Sequence, residues 1–212
     1  MTRVKHCGVT SLDDAVAAAE AGAWAVGLNF WPRSVRRCDP DVAAGVGAAL
    51  RRRVELAGVF VNQPLDEIAA LAEAVPLSMV QLHGDEGTAF CAEVARRTGA
   101  RVIKAARVGS RADLQALQAF RGVDFHLVDA RVPGMRGGTG RTVDWDLVAS
   151  RRSPVPLILS GGLTPDNVGE AIERVRPYAV DVASGTESAP GVKDHALLRA
   201  FSEAVAAVEV TA

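Results

Sequence analysis

Eight short runs rich in Val, Ile, Leu and Phe recur along the chain: Val4–Cys7, Ala25–Phe30, Leu56–Val61, Met79–Leu82, Val102–Ala105, Phe125–Asp129, Leu157–Ser160 and Ala179–Val182. Most lack the polar alternation of a half-exposed strand, so both faces must be covered, as in a parallel sheet flanked by helices. The stretches between them have helical spacing. They are Leu12–Ala21, Asp41–Leu50, Leu65–Ala74, Thr88–Arg97, Ala112–Phe120, Trp145–Ala149, Asp166–Val175 and Ala196–Val208. Thr10 or Ser11 would cap the first, Gly22 would stop it, and Pro40 suits the first turn of the second. With 212 residues, each strand–helix unit has about 26, close to the shortest parallel crossover. Eight such units predict a closed (β/α)8 TIM barrel rather than an open doubly wound sheet. No Pro/Ser-rich linker or charge block divides the chain, so one domain is expected over residues 1–212. The dinucleotide fingerprint is absent after the first run, where Cys7-Gly8-Val9-Thr10 stands.

Composition narrows the function. Hydrophobic residues make up 49% of the chain and the net charge is −1. The apolar content argues against disorder, and the charge balance supplies no field to attract nucleic acid. No apolar run reaches the ~18 residues of a bilayer span, and the amino terminus lacks the apolar core of a secretory signal, so a cytoplasmic protein with no membrane partner is expected. Cys7, Cys38 and Cys91 read as reduced thiols. Neither they nor His6, His83, His126 and His195 have metal-ligand spacing, so no metal is expected. Oligomeric state is not encoded in any of these features.

In a barrel, chemistry gathers where strands end at their carboxyl side. The first run ends in Lys5-His6-Cys7-Gly8, and alternation puts Lys5 and Cys7 on one face and His6 on the other. A nearby ammonium would favour a Cys7 thiolate that can accept a proton; a small buried hydrophobe is the alternative. The sixth run ends in Asp129, a candidate acid or a loop-anchoring carboxylate. Gln81 and His83 share a face at the end of the fourth, where His83 is a candidate substrate contact or a hydrogen-bonded structural residue. Asp181 faces inward from the eighth, either as a substrate contact or as an ion-pair partner for Lys5.

The glycine turns are more specific. Ser160-Gly161-Gly162 and Ala183-Ser184-Gly185 follow the seventh and eighth runs, where barrels often hold phosphate on backbone N–H groups. Gly161, Gly162, Ser184 and Gly185 are therefore phosphate candidates. Gly138, in Gly137-Gly138-Thr139-Gly140 after the sixth run, would close over the same region. Simple turn chemistry is the competing account of each. After the second run, Arg36 lies in the basic segment Arg33-Ser34-Val35-Arg36-Arg37, either a clamp for a substrate carboxylate or part of a solvated loop.

Taken in order, Val4-Lys5-His6-Cys7-Gly8-Val9-Thr10, Gly27-Leu28-Asn29-Phe30-Trp31-Pro32-Arg33-Ser34-Val35-Arg36, Val80-Gln81-Leu82-His83-Gly84-Asp85-Glu86, Leu127-Val128-Asp129-Ala130, Leu159-Ser160-Gly161-Gly162-Leu163-Thr164-Pro165 and Val180-Asp181-Val182-Ala183-Ser184-Gly185 through Pro190-Gly191-Val192-Lys193-Asp194 resemble the N-(5′-phosphoribosyl)anthranilate isomerase family of tryptophan biosynthesis. The resemblance spans nearly the whole chain. It implies a cofactor-free Amadori rearrangement of a phosphorylated small molecule. Cys7 matches the family's general base, Asp129 its general acid, Arg36 its anthranilate carboxylate contact, and the glycine turns its phosphate cradle. The chemistry needs a Cys7 thiol of depressed pKa and an Asp129 carboxyl that stays protonated. Two positions depart from the family pattern: His6 replaces an aliphatic residue and should alter packing against the helices, and Val35 replaces a frequent proline. A different phosphosugar barrel enzyme is the first alternative, although no strand-end metal ligands for an epimerase and no catalytic lysine set for an indole-glycerol-phosphate synthase are found. A binding module without chemistry is the second, and the presence of both proton-transfer candidates argues against it.

Overall fold

A computed structural model of the chain describes residues 1–130 and 143–210. Eight parallel strands close into a barrel in chain order: β1 (Arg3–Cys7), β2 (Ala25–Asn29), β3 (Glu55–Phe60), β4 (Met79–Leu82), β5 (Arg101–Val108), β6 (Phe125–Ala130), β7 (Leu157–Leu159) and β8 (Ala179–Val182), with β8 pairing back onto β1. Eight helices alternate with them: α1 (Leu12–Glu20), α2 (Pro40–Leu50), α3 (Leu65–Ala74), α4 (Thr88–Thr98), α5 (Arg111–Gln118), α6 (Trp145–Ala149), α7 (Val168–Val175) and α8 (His195–Val210). The expected TIM barrel is thus the observed architecture.

Local chemistry sets the helix starts. Ser11 caps α1, its Oγ accepting from the Asp14 N–H at 3.1 Å. Asp39 caps α2 just before Pro40, whose missing N–H would have had no intrahelical partner there. Helix α7 starts at Val168 rather than Asp166. The Asn167 side chain instead builds the entry turn, accepting from the Thr164 N–H at 2.8 Å and donating to the Gly162 carbonyl at 3.0 Å.

Two layers of apolar packing result. Alternate strand residues such as Ala57, Met79, Ile103, Leu127 and Ile158 fill the barrel interior, and Trp24 and Tyr178 pack against them. Val26, Leu28, Val80, Val102, Val128 and Val180 face outward onto the helices. His6 follows this outward set as expected. Its ring meets Phe201 edge-on, Nε2 lies 3.3 Å from Ser202 Oγ, and burial lowers its pKa to about 3, so it packs as a neutral ring. Cys38 and Cys91 are buried thiols.

The structure adds an element that no apolar run announces. After β8 comes a short 3-10 turn (Ser184–Thr186), then an antiparallel pair, β9 (Glu187–Ala189) and β10 (Val192–Lys193), turning through Pro190-Gly191 with Gly191 at φ +83°. It is too short and polar to show as periodicity. The Thr10 hydroxyl donates to the Gly191 carbonyl at 2.7 Å, tying the hairpin to the loop after β1. Among the described residues no helix is long and apolar enough to cross a membrane.

Candidate active site

The carboxyl ends of the strands surround a cavity open to solvent. Cys7, Arg36, His83, Asp129, Gly161, Gly162, Asp181 and Ser184 all line it. Gly185 sits behind Ser184, where a Cβ would fall 1.9 Å from the Leu163 carbonyl oxygen. Gly138 lies outside the described residues.

Cys7 ends β1 beside Gly27 of β2. A Cβ at Gly27 would stand 2.7 Å from Cys7 Sγ, so the glycine makes room for the thiol. Two residues deeper, the fully buried Lys5 ammonium is 2.5 Å from Asp181 Oδ1, its register partner on β8. Asp181 Oδ2 accepts from Ser160 Oγ at 3.0 Å. Both carboxylate oxygens are thus engaged within the protein, and the ion-pair account of Asp181 is the one this geometry displays. Burial pulls the Lys5 ammonium down, but Asp181 and the Cys7 thiol more than offset it and the net shift is upward.

The thiol itself departs from expectation. Burial raises the Cys7 pKa above 9.0; the Lys5 ammonium pulls the other way without overcoming it. The adjacent cation does not by itself yield a depressed thiol pKa, because the same depth that brings Lys5 close also strips water from the sulfur.

Asp129 is the second proton-transfer candidate. It is buried near the end of β6, and burial pushes its carboxyl up despite the His83 ring and the Ala130 N–H that donates to Oδ1 at 2.8 Å. His83 Nε2 is 3.7 Å from Asp129 Oδ2, and its Nδ1 faces Gln81 Nε2 at 3.2 Å. With Gln81 donating, the imidazole proton sits on Nε2, toward the carboxyl. Burial lowers the His83 pKa and so favours the neutral ring.

Beside Asp129 lies the turn after β7. Gly161 (φ +95°) and Gly162 (φ +66°) adopt backbone that a side chain disfavours, and their N–H groups find no carbonyl partner among the described residues. A Cβ on Gly161 would lie 2.6 Å from the Ala130 nitrogen. Consecutive free N–H groups in left-handed backbone form the kind of concavity that holds an anion.

Arg36 presents a feature not read from the sequence: its Nε and Nη2 donate to Glu187 Oε1 and Oε2, both at 2.7 Å. The Glu187 bond raises the Arg36 pKa, keeping the charge fixed. Arg107 was also missed. The apolar run ends at Ala105, yet β5 continues to Val108 and places Arg107 opposite Asp129 and on the cavity wall. Strict alternation from Ile103 through Ala105 points Arg107 inward, a signal available in the sequence.

Residues 4–204 match the family model described as N-(5′-phosphoribosyl)anthranilate (PRA) isomerase. The chain is 50% identical over 201 residues to the N-(5′-phosphoribosyl)anthranilate isomerase of Geobacter sulfurreducens, covering 95% of this chain and 97% of that one. Phosphoribosyl anthranilate isomerase from Thermotoga maritima superposes with a TM-score of 0.89 at 40% identity, over 98% of this chain and 100% of that one. A phosphoribosyl anthranilate isomerase structure in complex with reduced 1-(o-carboxyphenylamino)-1-deoxyribulose 5-phosphate gives 0.86 at 39% identity over the same shares.

Proposed function

The chain belongs to the N-(5′-phosphoribosyl)anthranilate isomerase family, an aldose–ketose isomerase family of tryptophan biosynthesis, and from that premise we propose that Cys7 and Asp129 carry an Amadori rearrangement across the barrel mouth. The observation that carries the proposal is that both line one cavity, with burial pushing the Asp129 carboxyl toward its neutral, proton-donating form.

In this mechanism Asp129 protonates the furanose ring oxygen. The C1′–O bond breaks as the amine lone pair forms an iminium at C1′. Cys7, as thiolate, then takes the proton from C2′. The C2′–H electrons form the C1′–C2′ double bond and neutralise the nitrogen, and the resulting enolamine tautomerises to the ketone. One proton is thus distributed between two groups: the reactive form has it on Asp129 and not on Cys7. The Lys5 ammonium supports the thiolate, and His83 orients the acid through Nε2. Gly161, Gly162, Ser184 and Gly185 hold the 5′-phosphate, and Arg36 receives the anthranilate carboxylate. Asp181 fixes Lys5 and presents its cavity-facing edge to the sugar hydroxyls.

The test follows loss of substrate fluorescence with N-(5′-phosphoribosyl)anthranilate. Cys7→Ser and Asp129→Asn are each expected to lower kcat by about 100-fold or more. Full turnover in both variants would refute the assignment.

A further inference from the structure

Glu187 stands on β9, beyond the turn that carries Ser184, yet its carboxylate reaches across the mouth to the loop after β2. There it engages Arg36 in a two-pronged fork, both partners largely shielded from water. The Arg36 stem lies over the end of β1, where Gly8, at φ +74°, has no Cβ to obstruct it; one would fall 2.5 Å from Arg36 Cδ. The fork uses the Nε–H and one Nη2–H. The remaining three N–H groups, two on Nη1 and one on Nη2, have no partner among the described residues, and one from each nitrogen together form the second flat edge of the guanidinium.

A carboxylate can dock on that edge with the same bidentate geometry. Glu187 would neutralise Arg36 if the two stood alone. Lys193 of β10 approaches Glu187 Oε1 at 3.4 Å while donating to the Ala183 carbonyl at 2.8 Å. Two cations around one anion leave the cluster net positive, so its attraction for a ligand carboxylate survives.

We propose that Glu187 is a positioning residue that fixes the plane of Arg36 so that its free edge faces the carboxylate of the substrate. The inference rests on the substrate assignment made above. Its consequence is specific: Glu187 acts on affinity for the carboxylate-bearing ring, because a pre-set guanidinium spares the ordering cost that a mobile one incurs on binding.

The experiment compares the wild-type chain, E187Q and E187D on two substrates, N-(5′-phosphoribosyl)anthranilate and its aniline counterpart lacking the carboxylate. E187Q keeps one acceptor but loses the charged fork. Its KM for the carboxylated substrate is expected to rise by about tenfold, with kcat changing far less, while KM for the aniline substrate matches wild type. E187D keeps the charge with a shorter reach and is expected to fall between; it also carries the test if E187Q does not fold. In an Arg36→Ala background, E187Q should add nothing further to KM. An unchanged KM, or an equal rise on both substrates, overturns the inference. A wild-type chain that turns over neither substrate overturns the substrate assignment, and this inference with it.

Discussion

Replacing Asp181 by Asn strands the Lys5 ammonium inside the barrel without the carboxylate that now sits 2.5 Å away. The amide oxygen can still accept from Lys5 while its NH2 donates to the Ser160 hydroxyl, so packing changes little and the loss is chiefly one of charge. Breaking one side of a buried ion pair costs about 3–5 kcal/mol. There is a ceiling on that cost, because the lysine can release its proton instead. Starting from 10.5, deprotonation at pH 7 costs about 4.8 kcal/mol, at about 1.4 kcal/mol per pH unit. For a chain of this size, 3–5 kcal/mol corresponds to a Tm decrease of about 6–20 °C. The sign of the pH dependence follows. In the parent, the folded-state Lys5 pKa is raised, so its contribution is complete below 10.5 and is lost as pH climbs through the folded value. In Asp181→Asn the neutral amine is the tolerated form, so the deficit relative to the parent shrinks between pH 7 and pH 10. Urea unfolding followed by circular dichroism at several pH values measures both. The double variant Lys5→Met, Asp181→Leu, which removes both charges, should cost less than Asp181→Asn alone. A deficit below about 1 kcal/mol at pH 7, or one that does not change with pH, would refute the account of Lys5 as a charge held by a single carboxylate.

Three further outcomes are expected. The pH profile of kcat/KM should be bell-shaped, with an acid limb above 3.8 set by Asp129 and an alkaline limb above 9.0 set by Cys7; the reactive form needs the acid protonated and the thiol ionised, so Cys7→Ser should remove the alkaline limb. Because burial disfavours the ionised carboxyl, Asp129→Asn should be at least as stable as the parent at pH 7, and denaturation curves should converge as pH falls below 3.8. Gly185→Ala drives a methyl into the Leu163 carbonyl, and a loss of about 2 kcal/mol in stability together with a raised KM for phosphorylated substrate is expected from calorimetry and kinetics.

Much of the barrel was legible because each strand is nearly all apolar and each helix is bounded by turn chemistry such as Ser11 or Asp39-Pro40. Position 7 and position 129 stood out because a strand-end location is itself functional information in this architecture. What stayed hidden involved contacts across the chain. Glu187 reads as an unremarkable acid in a polar stretch, and only the folded hairpin reveals that it grips a side chain 151 positions earlier. Arg107 was lost through a boundary set by composition instead of alternation. The thiol's upward shift also stayed hidden, because a sequence shows which charge is adjacent but not how much water both groups have lost.

The seam between β1 and β8 also bears on how the chain is made. Synthesis delivers β1 well before its partner β8. Until then β1 has a raw edge, and a lysine destined for the interior has nothing of opposite sign to sit beside. A ribosome stalled before residue 179 would therefore display a nascent chain whose Lys5 has no carboxylate beside it, and release of the final strand would supply Asp181.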